Sequence, residues 1–142
     1  MSAARVLHAA VVVQLAGAMR APDALPALAP DAPPARVFDA PPARAALPYV
    51  VVEDPVLMAS DAVGITGRSG TVAIACVDGG VSPVRARALL AAVEAAMAGL
   101  PPQLREGWRV TSVRLARSQV TQGKGERWTA SSVFAVRMFR SN

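Results

Sequence analysis

A chain of 142 residues and 14.7 kDa has room for one two-layer hydrophobic core and little more. Its 53% hydrophobic and 18% charged content excludes a disordered chain, and its single cysteine, Cys76, excludes an intrachain disulfide and a cysteine-rich metal site. The formal charge of +5 is unevenly placed: residues 1–80 carry five arginines against seven acids, a net of −2, and residues 81–142 carry ten basic residues against three acids, a net of +7. A basic second half fits nucleic acid nearby, an acidic protein partner, or a solvated sheet face. The solvated or protein-facing reading is preferred, because no known nucleic-acid motif accompanies the charge. Lys124 is the sole lysine among fifteen basic residues, and such a preference for arginine is not by itself a sign of phosphate recognition.

Ser2 to about Met19 reads as an alanine-rich helix. Val6, Ala10, Val13 and Gly17, with Leu7 beside them, form an apolar stripe, and Gln14 and Arg20 are expected to face water. Arg5, the apolar run to Val13 and Ala16-Gly17-Ala18 resemble a weak leader with a cleavage site. His8 and Gln14 interrupt that run, so the expectation is an uncleaved helix. No stretch reaches the length and apolarity of a membrane span. From 21 to 46 the chain is proline-rich, which stops any helix and leaves extended or turning backbone. Within it Arg36-Val37-Phe38-Asp39 is expected to form a short edge strand.

Leu47 to Glu53 is a β-branched strand that Asp54-Pro55 ends. Residues 56–70, with Gly64, Gly67 and Gly70, are expected to form a long loop that a partner orders. Thr71 to Val77 reads as a second strand, closed at Gly79-Gly80, with Cys76 as a small buried residue. Ser82 as N-cap, Pro83 as first helical residue and Gly99 as the stop frame a helix. Its core face is Ala86, Leu90, Val93 and Met97, with Leu89 and Ala96 at the margin. Trp108–Val120 and Arg127–Arg140 then form a long hairpin joined by residues 121–126. The pattern shows no single clean apolar face, so a bulge or a switch in burial is expected. The predicted fold is α+β: an antiparallel sheet with two helices on one face and a C-terminal hairpin, in one domain spanning 1–142.

Chemistry is hard to place on this chain. His8 is the only histidine, with no acid at helical spacing, so a partly buried or surface role is expected. One histidine and one cysteine cannot build a metal site of the usual kind, and no cofactor or catalytic residue is expected. Gly64 to Gly70 lacks the lysine–serine/threonine pair of a phosphate loop and leads into a strand. Arg109, Arg114, Arg117, Arg127, Arg137 and Arg140, interleaved with Trp108 and Trp128, could form a nucleic-acid face. The preferred alternative has the tryptophans anchoring the hairpin and the arginines meeting water or acidic neighbours.

The order of these pieces resembles the tail-terminator (tail-completion) proteins of siphophage-like particles, including gene transfer agents. The resemblance is carried by Leu47-Pro48-Tyr49-Val50-Val51-Val52, by Thr71 to Val77, and by the helix Ala86 to Ala96. Gly107-Trp108-Arg109-Val110, Arg114 to Ser118 and Trp128-Thr129-Ala130 complete it. It implies a structural subunit made in the bacterial cytoplasm and built into the particle at the head–tail junction. Such subunits form a ring, usually hexameric, that caps the tail tube and joins it to the head connector, with DNA passing through the lumen. The implied partners are further copies of the chain, the tube protein and the connector. Asp61, Arg68, Lys124 and Arg127 are the expected ring or tube contacts, and Arg114, Arg117 and Arg137 the residues facing the lumen or nucleic acid. A head-completion connector subunit and a basic nucleic-acid-binding module are the alternatives; an enzyme fits least well.

Overall fold

The computed structural model describes residues 1–20 and 35–142. Its elements run α1 (Ala3–Arg20), β1 (Arg36–Phe38), β2 (Tyr49–Val52), β3 (Val56–Ala59), β4 (Ile65–Gly79), α2 (Val84–Ala98), β5 (Arg109–Gln122) and β6 (Arg127–Ser141). The strands form one sheet in the order β1-β2-β4-β6-β5, with β3 also paired to β4. Every pairing is antiparallel except β1 with β2. The α+β architecture with a C-terminal hairpin is therefore as the sequence indicates. The proline-rich stretch at 21–34 lies outside the described residues.

Both helices pack on one face of the sheet. Helix α1 lies over β1 and β2, α2 lies over β4, β6 and β5, and the two helices touch. Alternation along the strands supplies the other half of the core: Val50 and Val52, then Val72, Ile74 and Cys76, then Ala130, Phe134, Val136 and Met138. On α1 the buried stripe is Ala3, Leu7, Val11, Leu15 and Met19, with Val6 beside it. The expected stripe through Val13 is displaced, and Val13 is 73% exposed. An alanine-rich helix with valines on several sides offers competing stripes, and the one carrying two leucines and a methionine removes the most apolar area from water. Gln14 turns inward as a result: its Nε2 donates to the Ala96 carbonyl at 2.9 Å and ties α1 to α2.

Helix α2 begins one residue later than expected. Pro83 takes the N-cap position, and Ser82 Oγ accepts from the Val84 N–H at 3.3 Å. Gly99 ends the helix as expected. Leu89 lies at the centre of its buried face and Leu90 at the margin. Asp78 is buried on the same side of the sheet, where Arg85 closes on it through Nε (2.8 Å) and Nη2 (2.6 Å). That fork ties the end of β4 to the first turn of α2. Among the described residues two buried polar atoms, Trp108 Nε1 and Ser132 Oγ, have no hydrogen-bond partner.

The largest departure from the sequence reading concerns residues 56–70. This stretch is not a long loop: β3 and the first half of β4 form a hairpin, with Val56 opposite Thr71 and Ala59 opposite Arg68. The glycines that suggest a loop are what permit the pairing. A Cβ at Gly70 would run into the Val56 carbonyl, and one at Gly67 into the Ser60 carbonyl. Only Gly64, at φ +75, serves the turn itself. Strand β4 is consequently 15 residues long and pairs with β6 over its whole length.

Candidate functional site

Among the described residues no helix covers the opposite face of the sheet. Its central residues, Thr71, Ala73 and Ala75 on β4 and Thr129, Ser131, Val133 and Ala135 on β6, are small and half-buried. Pairing register fixes which arginines share this face. Arg137 lies on β6 between the buried Val136 and Met138, so it points away from the helices. On β5, Arg109 pairs with Phe139, Arg114 with Ala135 and Arg117 with Val133, all positions of the open face.

Simple alternation cannot place those three β5 arginines together, because 114 is an odd number of residues from both 109 and 117. Two bulges make it possible. Thr111 is the extra residue between Val110 and Ser112, and Ala116 the extra residue between Leu115 and Arg117. Each bulge shifts the phase by one residue, so Val110 and Val113 both face the helices while the arginines face out. In the register of β6 the four occupy positions 139 (Arg109), 137 (Arg137), 135 (Arg114) and 133 (Arg117). That is one guanidinium at every second residue, about 6.8 Å apart along the strands. All four are exposed, and among the described residues no carboxylate comes within ion-pair distance of them. The only acid on β4, β5 or β6 is Asp78, which faces the helices.

The structure thus brings together Arg114, Arg117 and Arg137 and adds Arg109. Arg140 goes to the other face and stacks 4.8 Å from the Trp108 ring. The four residues expected at contacts divide into two pairs at opposite ends of the β4–β6 ladder. Asp61 and Arg68 belong to the β3–β4 hairpin, beside the pairing of Ile65 with Ser141. Lys124 and Arg127 belong to the β5–β6 turn, beside the pairing of Gly79 with Arg127. Fourteen residue steps separate the ends, about 45 Å.

Asp61 and Arg68 are also engaged with each other. Asp61 Oδ1 accepts from the Gly67 N–H at 2.9 Å and from Arg68 Nη1 at 3.3 Å, while Arg68 lies 5.9 Å from the Trp108 ring. Their first role is to hold the hairpin closed. The same hairpin presents three large apolar side chains to solvent, Val56, Met58 and Val63, and sequence reasoning missed them by treating the stretch as loop. At the other end Gly125 and Glu126 take positive φ and shape a tight turn, leaving Lys124 and Arg127 exposed.

His8 is half-buried, and its Nε2–H donates to the Val52 carbonyl at 2.9 Å. Burial pushes the Cys76 thiol up to about 12. Among the described residues no group of three or more His, Cys, Asp or Glu side chains is placed to hold a metal. No helix among them is long and apolar enough to cross a membrane.

The model of one protein family, described as tail completion protein gp17, matches residues 13–138, from the middle of α1 almost to the end of β6. The chain belongs to the tail completion protein gp17 family. A solved structure titled "Virion of native gene transfer agent (GTA) particle" contains a chain of the same fold. Its TM-score is 0.76 and its identity 25%, with 98% of this chain and 99% of that chain covered. No curated protein matches. For this tail completion protein, the family match takes in the hairpin, both bulges and all four arginines of the open face.

Proposed function

We propose that this tail completion protein is the tail terminator of a phage-like particle or gene transfer agent. In this reading it forms a ring, hexameric by analogy with such subunits, that covers the growing end of the tail tube and stops polymerisation. The ring then joins the tube to the head connector and surrounds the channel through which DNA passes. The subunit is made in the cytoplasm, enters the particle at the head–tail junction and performs no catalytic step. The observation that carries this is the end-to-end match to a chain of the gene transfer agent virion, together with the family match.

The shape of the subunit supports the reading. A closed heterologous ring needs two different surfaces on each copy, with further surfaces for what lies above and below. The long sheet separates two exposed termini: the β3–β4 hairpin with Val56, Met58, Val63, Asp61 and Arg68, and the β5–β6 turn with Lys124 and Arg127. These are the proposed ring or tube contacts.

The test is to mix the purified protein with its polymerising tube protein and image tube lengths and ends by electron microscopy. Length-arrested tubes carrying a ring at one end are expected. Uncapped tubes of unchanged length, with binding to the portal side instead, would assign the protein to the connector. Charge reversal at Asp61, Arg68, Lys124 and Arg127 together should impair ring formation or docking. Intact rings and docking in that variant would remove these residues from the interface.

A further inference from the structure

We infer that the row Arg109, Arg137, Arg114 and Arg117 is a sequence-independent docking strip for the phosphate backbone of duplex DNA. The inference stands on the sheet geometry of a single subunit and does not need the ring. Three observations carry it.

The first is regularity. Four guanidinium groups repeat at about 6.8 Å over about 20 Å, with no carboxylate on the same face of the three strands that bear or flank them. Each strand of a duplex presents one phosphate charge per ~3.4 Å of rise, so the row meets a continuous line of anions. The second is the cost of the arrangement. Two bulges interrupt one ladder within seven residues, and together they move Arg109, Arg114 and Arg117 to one side. Bulges are over-represented at sheet edges and next to active sites, and on the edge strand β5 these two re-aim three arginines. The third is what surrounds the row. Its exposed and half-buried neighbours on β5 and the facing part of β6 include Ser112, Gln119, Thr121 and Ser131, whose hydroxyl and amide groups can also donate to phosphate oxygens.

The surroundings also discriminate between partners. A protein interface is anchored by large apolar or aromatic side chains, and the exposed members of this strip include none; exposed Leu115 points to the helix side with its partner Phe134. Single-stranded nucleic acid is held by stacking on successive aromatic rings. Here Phe139 stands alone at one end, half-buried. Duplex DNA, read through its charge, is the partner that fits.

The experiment measures binding of the full chain to a fluorescent duplex of arbitrary sequence at salt concentrations from 50 to 200 mM. Four phosphate contacts give a slope of log affinity against log salt of about −3.6, roughly a 100-fold loss across that range. The triple variant R114Q/R117Q/R137Q should retain its fold by circular dichroism and lose about 3 from the slope. A matched variant, R5Q/R20Q/R87Q, removes the same charge from the exposed helix surfaces and should bind as the parent does. Absence of duplex binding at 50 mM salt overturns the proposal, as does an equal loss in both triple variants. Loss of tube docking by the strip variant, in a protein that ignores DNA, makes this face a protein interface and overturns it too. A protein that caps tubes and ignores DNA sinks the strip alone. One that binds DNA through the strip and does not cap tubes sinks the terminator reading alone.

Discussion

The two faces of the sheet are built from the same strands and solve opposite problems. On β4 the residues Val72, Ile74 and Cys76 point to the helices, while Thr71, Ala73 and Ala75, alternating with them, do not. On β6 the contrast is sharper: Phe134, Val136 and Met138 face in, and Val133, Ala135 and Arg137 face out. The covered face holds the large side chains that make burial favourable at ~25 cal/mol per Å². Apart from Val51 and Val77, which are buried at its β2 end, the open face holds small residues and charge and adds less to the core. On β5 and β6 the buried and exposed residues thus alternate along the same strands, so the exposed ones can be altered with little effect on the core.

The strongest way to break that division is to damage the covered face. Leu7→Ala removes a side chain with no exposed surface at the α1–sheet contact and should cost about 3 kcal/mol, read as a lower denaturation midpoint. Arg85→Ala is expected to come next. It strands the Asp78 carboxylate, 2% exposed, without its fork, for a loss of about 2 kcal/mol; the half-exposed position of the guanidinium keeps the figure below that of a fully buried pair. The same hydrogen bonds raise the pKa of Arg85 further above its usual range.

Cys76 gives an effect that is absent at neutral pH and appears only in alkali. Its folded pKa of about 12 lies above the model-compound value of 9.0, because burial disfavours the thiolate. The unfolded thiol therefore ionises first. This contribution to stability is complete below pH 9.0, falls by roughly 1 kcal/mol per pH unit above it, and is lost as pH approaches 12. Comparing Cys76→Ala with the parent across that window isolates the slope, and a thiol reagent at neutral pH should label Cys76 only after unfolding. At the weak end, R114Q/R117Q/R137Q should change stability by less than about 0.5 kcal/mol. A large loss in that variant would show that the open face holds the fold together.

Much of the fold was legible in the sequence because local signals and burial agreed there. Gly99 after an apolar helical stripe, the β-branched run Tyr49–Val52 and the Gly-rich turn before Arg127 each produced the expected element. The α1 stripe was misplaced because alanine carries too little apolar area to mark a face, so three-dimensional packing chose among near-equal stripes. Residues 56–70 were misread for a different reason. Glycine normally signals a turn, but at Gly67 and Gly70 it admits the backbone of β3, and only pairing reveals that use. The arginine row was visible as composition and invisible as geometry. The irregular apolar pattern of β5 announced a bulge, yet neither its position nor the existence of a second followed from the pattern, and the faces of Arg109, Arg114 and Arg117 depend on both.

Those two bulges give β5 slack at two points that the β4–β6 ladder does not have. Replacing Thr111 or Ala116 by another residue leaves every neighbour on its own side. Deleting either one closes the ladder: Val110 and Ser112 then follow each other opposite Met138 and Arg137, and Leu115 and Arg117 opposite Phe134 and Val133, with no side chain changing sides. Single-residue deletion should therefore be tolerated at Thr111 and Ala116, and not within the unbroken β4–β6 ladder, where it turns the residues beyond it to the wrong face.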